Sequence, residues 1–298
     1  MMVGQSAEAP AVSVLGTGIM GAGMARSLLR EGFPVHVWNR SRQRALPLAD
    51  AGAVVAEDPA EAVRGSRIVI TMLTDQAAVR EVIEAAAGGL NGNQVWLQCS
   101  TVGTEAVAGL AALAREHEIQ FVDAPVLGTR QPAEQGKLTV FAAGPKAVRS
   151  GVDRVLDAIG QRTLWVAENA ESGAAQALKL VANTYVLSLV SGVAEALSLA
   201  DGLGVDGRSF LEAMAGGPLD NPYLRTKAEA ILSGDYTPSF SVSVAGKDAR
   251  LIVEAGERAG VRMDLLSAAA QRFRRAELQG HGGEDMAATY FAGFDKES

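Results

Sequence analysis

The chain has 298 residues, 48% of them hydrophobic and 20% charged, which is enough to bury a full core and too much for one small module, so two domains are expected. A net charge of -7 without a long basic run excludes a sequence-independent nucleic-acid partner, and small anionic ligands must be met by local cations. The single cysteine, Cys99, excludes an intrachain disulfide, and with His36, His117 and His281 far apart no metal site is expected.

In chain order, MMVGQSAEAP lacks a basic region followed by an apolar core, so no membrane partner and a soluble, cytoplasmic protein are expected. Residues 11–15, AVSVL, read as an apolar strand closed by Gly16. GTGIMGAGMARSLLREG follows, placing Gly16, Gly18 and Gly21 as G-x-G-x-x-G between a strand and an amphipathic helix. Gly16 permits the tight turn, Gly18 lets backbone amides approach a pyrophosphate at the helix N-terminus, and Gly21 lets the helix pack close to the strand. With a second strand, PVHVWN, in place, the context is that of a dinucleotide site.

That second strand ends in Trp38, Asn39 and Arg40, where an NAD-preferring site presents a carboxylate to the ribose 2'-hydroxyl. Here Arg40, Arg42 and Arg44 cluster instead, donors suited to a 2'-phosphate, and NADP(H) is the expected cofactor; arginines capping a surface loop are the plainer account. Strand and helix then alternate through SRIVITMLT, DQAAVREVIEAAAGGL and NQVWLQCST, predicting a doubly wound parallel sheet in an α/β, Rossmann-type domain over residues 1–170. Loops 72–75 and 100–102 fall along its carboxyl edge, where both ligand contact and ordinary turn chemistry fit them. FVDAPVLG, TRQPAEQG and KLTVFAAG break the rhythm and predict strands added at the far side of the sheet.

Residues 171–298 read as an all-α domain for substrate binding and oligomerisation, joined to the first by a long helix over 173–200, expected to be buried nearly all round. Gln176, Lys179 and Asn183 stand on one face of that helix. A buried ammonium needs a partner or a lowered pKa, so Lys179 either snorkels to water or has a function. Arg272, Arg274 and Arg275 read as a solvated helix face, and His36 and His117 lack triad partners.

Five motifs in order resemble the β-hydroxyacid dehydrogenases, the group of 3-hydroxyisobutyrate dehydrogenases and glyoxylate/succinic semialdehyde reductases. They are GTGIMGAGMA, CST at 99–101, DAPVLG at 123–128, GAAQALKLVAN at 173–183 and GKDARL at 246–251. The resemblance implies Lys179 as catalytic, with Asn183 positioning the substrate. It implies cofactor contacts from Gly16, Gly18, Ile19, Met20, Gly21, Asn39, Arg40, Ser41, Met72, Leu73 and Thr101. Substrate contacts follow from Ser100, Leu127, Gly128 and Thr129, with Lys247 against the cofactor or the substrate carboxylate and Asp248 behind it. Where the family carries a serine and two glycines after D-A-P-V, this chain has Leu127, Gly128 and Thr129, so the substrate is bulkier or less polar than a simple hydroxy acid, or is held by Thr129 and Lys247.

The nicotinamide carries the hydride, so the protein must position a carbon and manage one proton. An ordinary lysine is a poor base at neutral pH, and burial or a nearby cation lowers its pKa towards a useful range. The expected function is NADP(H)-dependent oxidoreduction between a small β-hydroxy acid and its semialdehyde or keto acid, with Lys179 as general acid/base. The site is expected between the carboxyl edge of the sheet and the long helix, in a homodimer or homotetramer. The alternatives are an imine reductase and a non-catalytic NADP(H)-binding protein.

Overall fold

Four consecutive buried residues, Val12–Leu15 (β1), begin the sheet of the computed structural model, which describes residues 9–295. Parallel strands β2 (Val35–Trp38), β3 (Val54–Val55), β4 (Ile68–Thr71), β5 (Val95–Gln98) and β6 (Gln120–Asp123) follow in the spatial order β3-β2-β1-β4-β5-β6. Helices α1 (Ile19–Arg30), α2 (Pro59–Val63), α3 (Gln76–Ala86) and α4 (Ala106–Glu116) connect them. Because β1 pairs with both β2 and β4, the order reverses there, and the loops after β1 and β4 flank the switch point where ligands bind in such sheets.

Successive residues of the central strands feed different cores. Val12, Val14, Ile68, Ile70, Val95 and Leu97 join Met24 and Leu28 of α1 on one face. Leu15, Val69 and Trp96 join Val107 and Leu110 of α4 on the other. A period of two with both faces buried requires helices on each side of the sheet, which the alternation of strands and helices predicted. Beyond β6 the chain turns back: β7 (Val126–Leu127) and β8 (Leu138–Ala143), separated by α5 (Arg130–Glu134), pair antiparallel. α6 (Lys146–Ile159) then leads to β9 (Gly160–Ala167), which runs parallel to β8.

The chain divides into two compact units, Met1–Lys179 and Leu180–Ser298, with the boundary inside α7 (Ala174–Gly202). The second unit is helical: the rest of α7, α8 (Gly207–Met214), α9 (Pro222–Ser233), α10 (Val242–Arg258), α11 (Asp264–Ala276) and a closing 310 segment, Met286–Gly293. Leu187 and Val190 of α7 pack with Val242, Ile252 and Phe273, while Val193 and Leu197 one turn on pack with Leu224 and Ile231. The Asn221 side chain accepts from the Leu224 amide at 2.9 Å, with Pro222 at the first helical position and Gly234 left-handed (φ 72°) after the last, which fixes both ends of α9. Buried Lys227 donates to Asp285 Oδ1 at 2.6 Å and ties α9 to the closing segment.

Two expectations need correction. α7 is not buried all round: Val181, Tyr185 and Leu199 are exposed, on the stripe that also carries Ser188, Gly192 and Glu195. Its apolar residues on every face hid the direction, because hydropathy reports what a side chain prefers and not what covers it. By length and composition alone α7 could cross a membrane; here it lines two helical cores. Nor are the three late arginines one solvated face. Arg272 is buried and donates to Ser198 Oγ at 3.3 Å, its head taken inside by a helix whose inward stripe passes through that position.

Candidate active site

In the glycine turn after β1, positions 16 and 21 are fixed by conformation and space. Gly16 is at φ +101°, and a Cβ there would lie 2.4 Å from the Met72 carbonyl oxygen, so both conformation and space demand glycine. A Cβ on Gly21 would lie 1.9 Å from the Gly16 carbonyl oxygen, which is the close helix-to-strand approach. Gly18 differs: a Cβ there would meet nothing within 4 Å. It stands at the N-cap of α1, where no side chain caps the helix and no acidic residue occupies the first turn. Thr17 Oγ1 is buried and makes no hydrogen bond within the protein. An uncapped helix N-terminus with open space and an unspent hydroxyl fits the pyrophosphate of a dinucleotide.

Asn39 fixes this turn from the end of β2. Its Oδ1 accepts from the Thr17 amide at 3.0 Å and its Nδ2 donates to the Ser41 carbonyl at 3.0 Å. Arg40 and Ser41 are exposed. Arg42 is paired with Glu57, Nη2 to Oε1 at 2.8 Å and Nε to Oε2 at 3.2 Å, so the arginine cluster splits into a paired member and the exposed Arg40 and Arg44. Ile19, Met20, Met72, Leu73 and Thr101 are all half-buried, each retaining accessible surface near the carboxyl ends of β1, β4 and β5.

Ser100 takes a place inside the protein. Fully buried, its hydroxyl accepts from the Leu73 amide at 2.9 Å and reaches the Thr71 carbonyl at 3.4 Å, tying the loops after β4 and β5 together. Leu127 is half-buried on β7 opposite Thr139. Gly128, at φ +141°, turns the chain under Leu138 and Pro132, and Thr129 stands at the N-cap of α5 without a side-chain bond to it.

Lys179 is only 6% exposed, and Gln176, Lys179 and Asn183 face the side of α7 opposite its exposed stripe. Snorkelling to water is thereby ruled out for Lys179. One turn on, in the second unit, Asn183 Nδ2 donates to Asp248 Oδ2 at 2.7 Å, and Asp248 Oδ1 lies 2.8 Å from Lys247 Nζ. Asp248 is therefore a buried junction between α7 and a lysine that keeps 19% of its side chain exposed.

Sequence reasoning gave no role to Asp123, Gln98 or Gln176. Asp123 is fully buried at the end of β6, where Oδ1 accepts from both Gln98 and Gln176, and Oδ2 makes no hydrogen bond within the protein. Burial pushes its carboxyl up to about 7, against the opposing effect of the two amide bonds. Burial also pushes up the neighbouring Cys99 thiol, which stays neutral and inert. The one available signal was Gln176, polar on an apolar helix three residues before Lys179.

Residues 11–167 match the family model for the NAD-binding domain of 6-phosphogluconate dehydrogenase, and residues 173–292 match the model described as NAD-binding of NADP-dependent 3-hydroxyisobutyrate dehydrogenase. Glyoxylate/succinic semialdehyde reductase 1 of Arabidopsis thaliana is 32% identical over 93% of this chain and 96% of its own length. Human cytokine-like nuclear factor N-PAC is 28% identical over 94% of this chain, which spans only 51% of that longer protein. Among solved structures, 3-hydroxyisobutyrate dehydrogenase from Salmonella typhimurium superposes with a TM-score of 0.86 at 26% identity, covering 94% of this chain and 98% of that one. An imine reductase from Pseudomonas sp. shares the fold alone, at 22% identity and a TM-score of 0.57 over 95% of this chain and 99% of that one. A nucleotide-binding sheet whose glycines are fixed by space, followed by a helical unit, with both family models matched in order, makes this chain a member of the β-hydroxyacid dehydrogenase family, with an NAD(P)-binding first domain.

Proposed function

We propose that this chain is an NADP(H)-dependent reductase of short semialdehydes or keto acids, and the corresponding hydroxyacid dehydrogenase, with Lys179 as the proton-transferring group. The observation that carries the reading is Lys179 itself, an amine held inside an apolar helix on its inward face, one turn before Asn183.

The turn 16–21 would hold the pyrophosphate of the dinucleotide, with Asn39, Arg40 and Ser41 at the adenosine ribose and Met72, Leu73 and Thr101 towards the nicotinamide. When bound, the nicotinamide supplies or accepts the hydride. Lys179 manages the accompanying proton: as the ammonium it stabilises the oxygen that gains charge during reduction and then protonates it, and as the amine it removes the hydroxyl proton during oxidation. Asp248 orients the Asn183 amide from behind and holds Lys247, whose charge suits a substrate carboxylate.

The preference for NADP(H) rests on the absence of a carboxylate beside Asn39 and on the exposure of Arg40. The substrate class is proposed from the Arabidopsis relative's name, and Leu127, which offers no hydrogen bond, favours the less polar members of that class. The exposed apolar side chains of α7, Val181, Tyr185 and Leu199, support assembly as a homodimer or homotetramer. The deciding experiment follows NADPH oxidation with glyoxylate, succinic semialdehyde and a cyclic imine, for wild type and Lys179→Ala. Turnover of an aldehyde or keto acid that collapses in the variant supports the proposal. Turnover of imines alone, or activity indifferent to the lysine, refutes it, and tight NADPH binding without turnover of any probe points to a non-catalytic protein.

A further inference from the structure

The carboxamide of Gln176, its bonding capacity fully used, joins the first turn of α7 to the loop after β5. Gln176 is 0% exposed. Its Oε1 accepts from the backbone amides of Val102 at 3.0 Å and Gly103 at 3.3 Å, and its Nε2 donates to the Ser100 carbonyl at 3.1 Å and to Asp123 Oδ1 at 2.9 Å. Two donors and two acceptor positions are all that a primary amide possesses. Gln98 repeats the arrangement from the strand side: its Nε2 donates to the Ser100 carbonyl at 3.0 Å and to Asp123 Oδ1 at 3.2 Å, and its Oε1 accepts from the Ser100 amide at 2.8 Å. Asp123 Oδ1 is therefore the shared acceptor of two glutamines, one from the sheet and one from the helix. Just before the helix, Gly173 is left-handed at φ +68°, and a Cβ there would lie 3.1 Å from the Thr104 carbonyl oxygen, so the chain approaches the same loop closely a second time.

Residues three apart on a helix are neighbours on one face, and the helix between them is stiff. Whatever fixes Gln176 fixes where the Lys179 side chain begins. The same four bonds fix the 100–103 loop, which includes the cofactor candidate Thr101. We propose that Gln176 is a positioning residue, and that its carboxamide fastens the 100–103 loop to the first turn of α7 and so sets the distance between Lys179 and the substrate oxygen with which it exchanges a proton. This inference rests on the reading of Lys179 as the proton-transferring group. Gln176 touches neither substrate nor cofactor; it acts through the lysine and the loop.

The test compares Gln176→Met, Gln176→Glu, Lys179→Ala and the double variant Gln176→Met/Lys179→Ala. Glutamate keeps the acceptor for the Val102 and Gly103 amides and loses the donors, so it carries the test if the methionine variant does not fold. Three quantities are measured: kcat with NADPH and glyoxylate or succinic semialdehyde, the Kd for NADPH, and the rate at which acetic anhydride modifies Lys179 at one fixed pH relative to exposed Lys137 and Lys146. In Gln176→Met, kcat falls by about 10- to 100-fold, as a misplacement of roughly 1 Å would produce, while the Kd for NADPH stays within about threefold. Relative modification of Lys179 rises at least about fivefold as the helix turn that carries it is released from the loop. The double variant is no slower than Lys179→Ala alone, because both changes remove one function.

Unchanged kcat and unchanged Lys179 reactivity in Gln176→Met overturn the inference, as do losses that multiply in the double variant. If Lys179→Ala is inactive while Gln176→Met is not, the inference falls and the catalytic reading stands. If Lys179→Ala is fully active, both fall. If the wild type turns over neither probe, Lys179 reactivity alone decides: a rise confined to Lys179 supports the positioning role, and no change refutes it.

Discussion

Replacing Asp123 by asparagine tests the buried network through stability. The carboxyl is raised from 3.8 to about 7 by burial, so the native state holds a proton that the unfolded chain releases at much lower pH. The sign follows directly. Between these values the native state binds more protons than the unfolded state, so this group's contribution to stability falls as pH rises from about 4 to about 7 and is constant above that. Roughly three pH units at ~1.4 kcal/mol each give ~4 kcal/mol across the whole window. At pH 5, two units below the folded value, about 2 to 3 kcal/mol of that is still present, and by pH 8 it is gone.

Asparagine keeps one acceptor for Gln98 and Gln176 and cannot ionise. Its amide nitrogen takes the place of Oδ2, which makes no hydrogen bond within the protein, and that costs about 1 to 3 kcal/mol at every pH. The constant cost cancels when two pH values are compared. Cys99, the titratable neighbour, stays protonated throughout and also cancels. The assay is urea unfolding of wild type and Asp123→Asn at pH 5 and pH 8, monitored by circular dichroism. The variant should gain about 2 to 3 kcal/mol relative to wild type between the two conditions. A difference independent of pH, or a variant that loses ground as pH rises, would refute the assignment of a neutral, desolvated carboxyl at this position.

Arg40→Ala should raise the KM for NADPH by about 10-fold or more while leaving that for NADH within a factor of about two, because a charge-assisted bond to phosphate is worth ~1.5 to 3 kcal/mol; equal effects on both cofactors in steady-state assays would sink the 2'-phosphate assignment. Gly21→Ala should destabilise the first domain by at least ~2 kcal/mol, read from its urea midpoint, since the added methyl falls 1.9 Å from the Gly16 carbonyl oxygen. Lys227→Met should cost about 3 to 5 kcal/mol by leaving Asp285 buried without its cation, a loss that calorimetry would show as a lowered Tm, and Lys227→Met/Asp285→Leu should recover part of it.

Legibility in the sequence followed the range of the interaction. The glycine turn, the strand and helix alternation, and the polar face of α7 were visible because each is a local pattern whose spacing the backbone enforces. Lys179 was visible for the same reason, as a charge out of place in an apolar helix. What remained hidden depends on contacts between distant segments. Gln176 and Asp123 are 53 residues apart, and no property of either residue names the other. The pairing of Arg42 with Glu57 spans only 15 residues but crosses from one strand end to the next, so a cluster read as three equivalent cations is divided. Arg272 looked like its neighbours Arg274 and Arg275, yet it points inward, because one residue's shift on a helix is a rotation of about 100°.

The three glycines of the turn carry two kinds of information in one motif. Positions 16 and 21 are held by the fold: a library selected only for soluble, folded protein would keep glycine at both, since any side chain collides with backbone. Position 18 has ordinary backbone angles and open space, so the same selection would let it drift to many residues. Glycine would persist there only in a library selected for nucleotide binding. Comparing the two outcomes at a single codon would separate what this family inherits as architecture from what it keeps as chemistry.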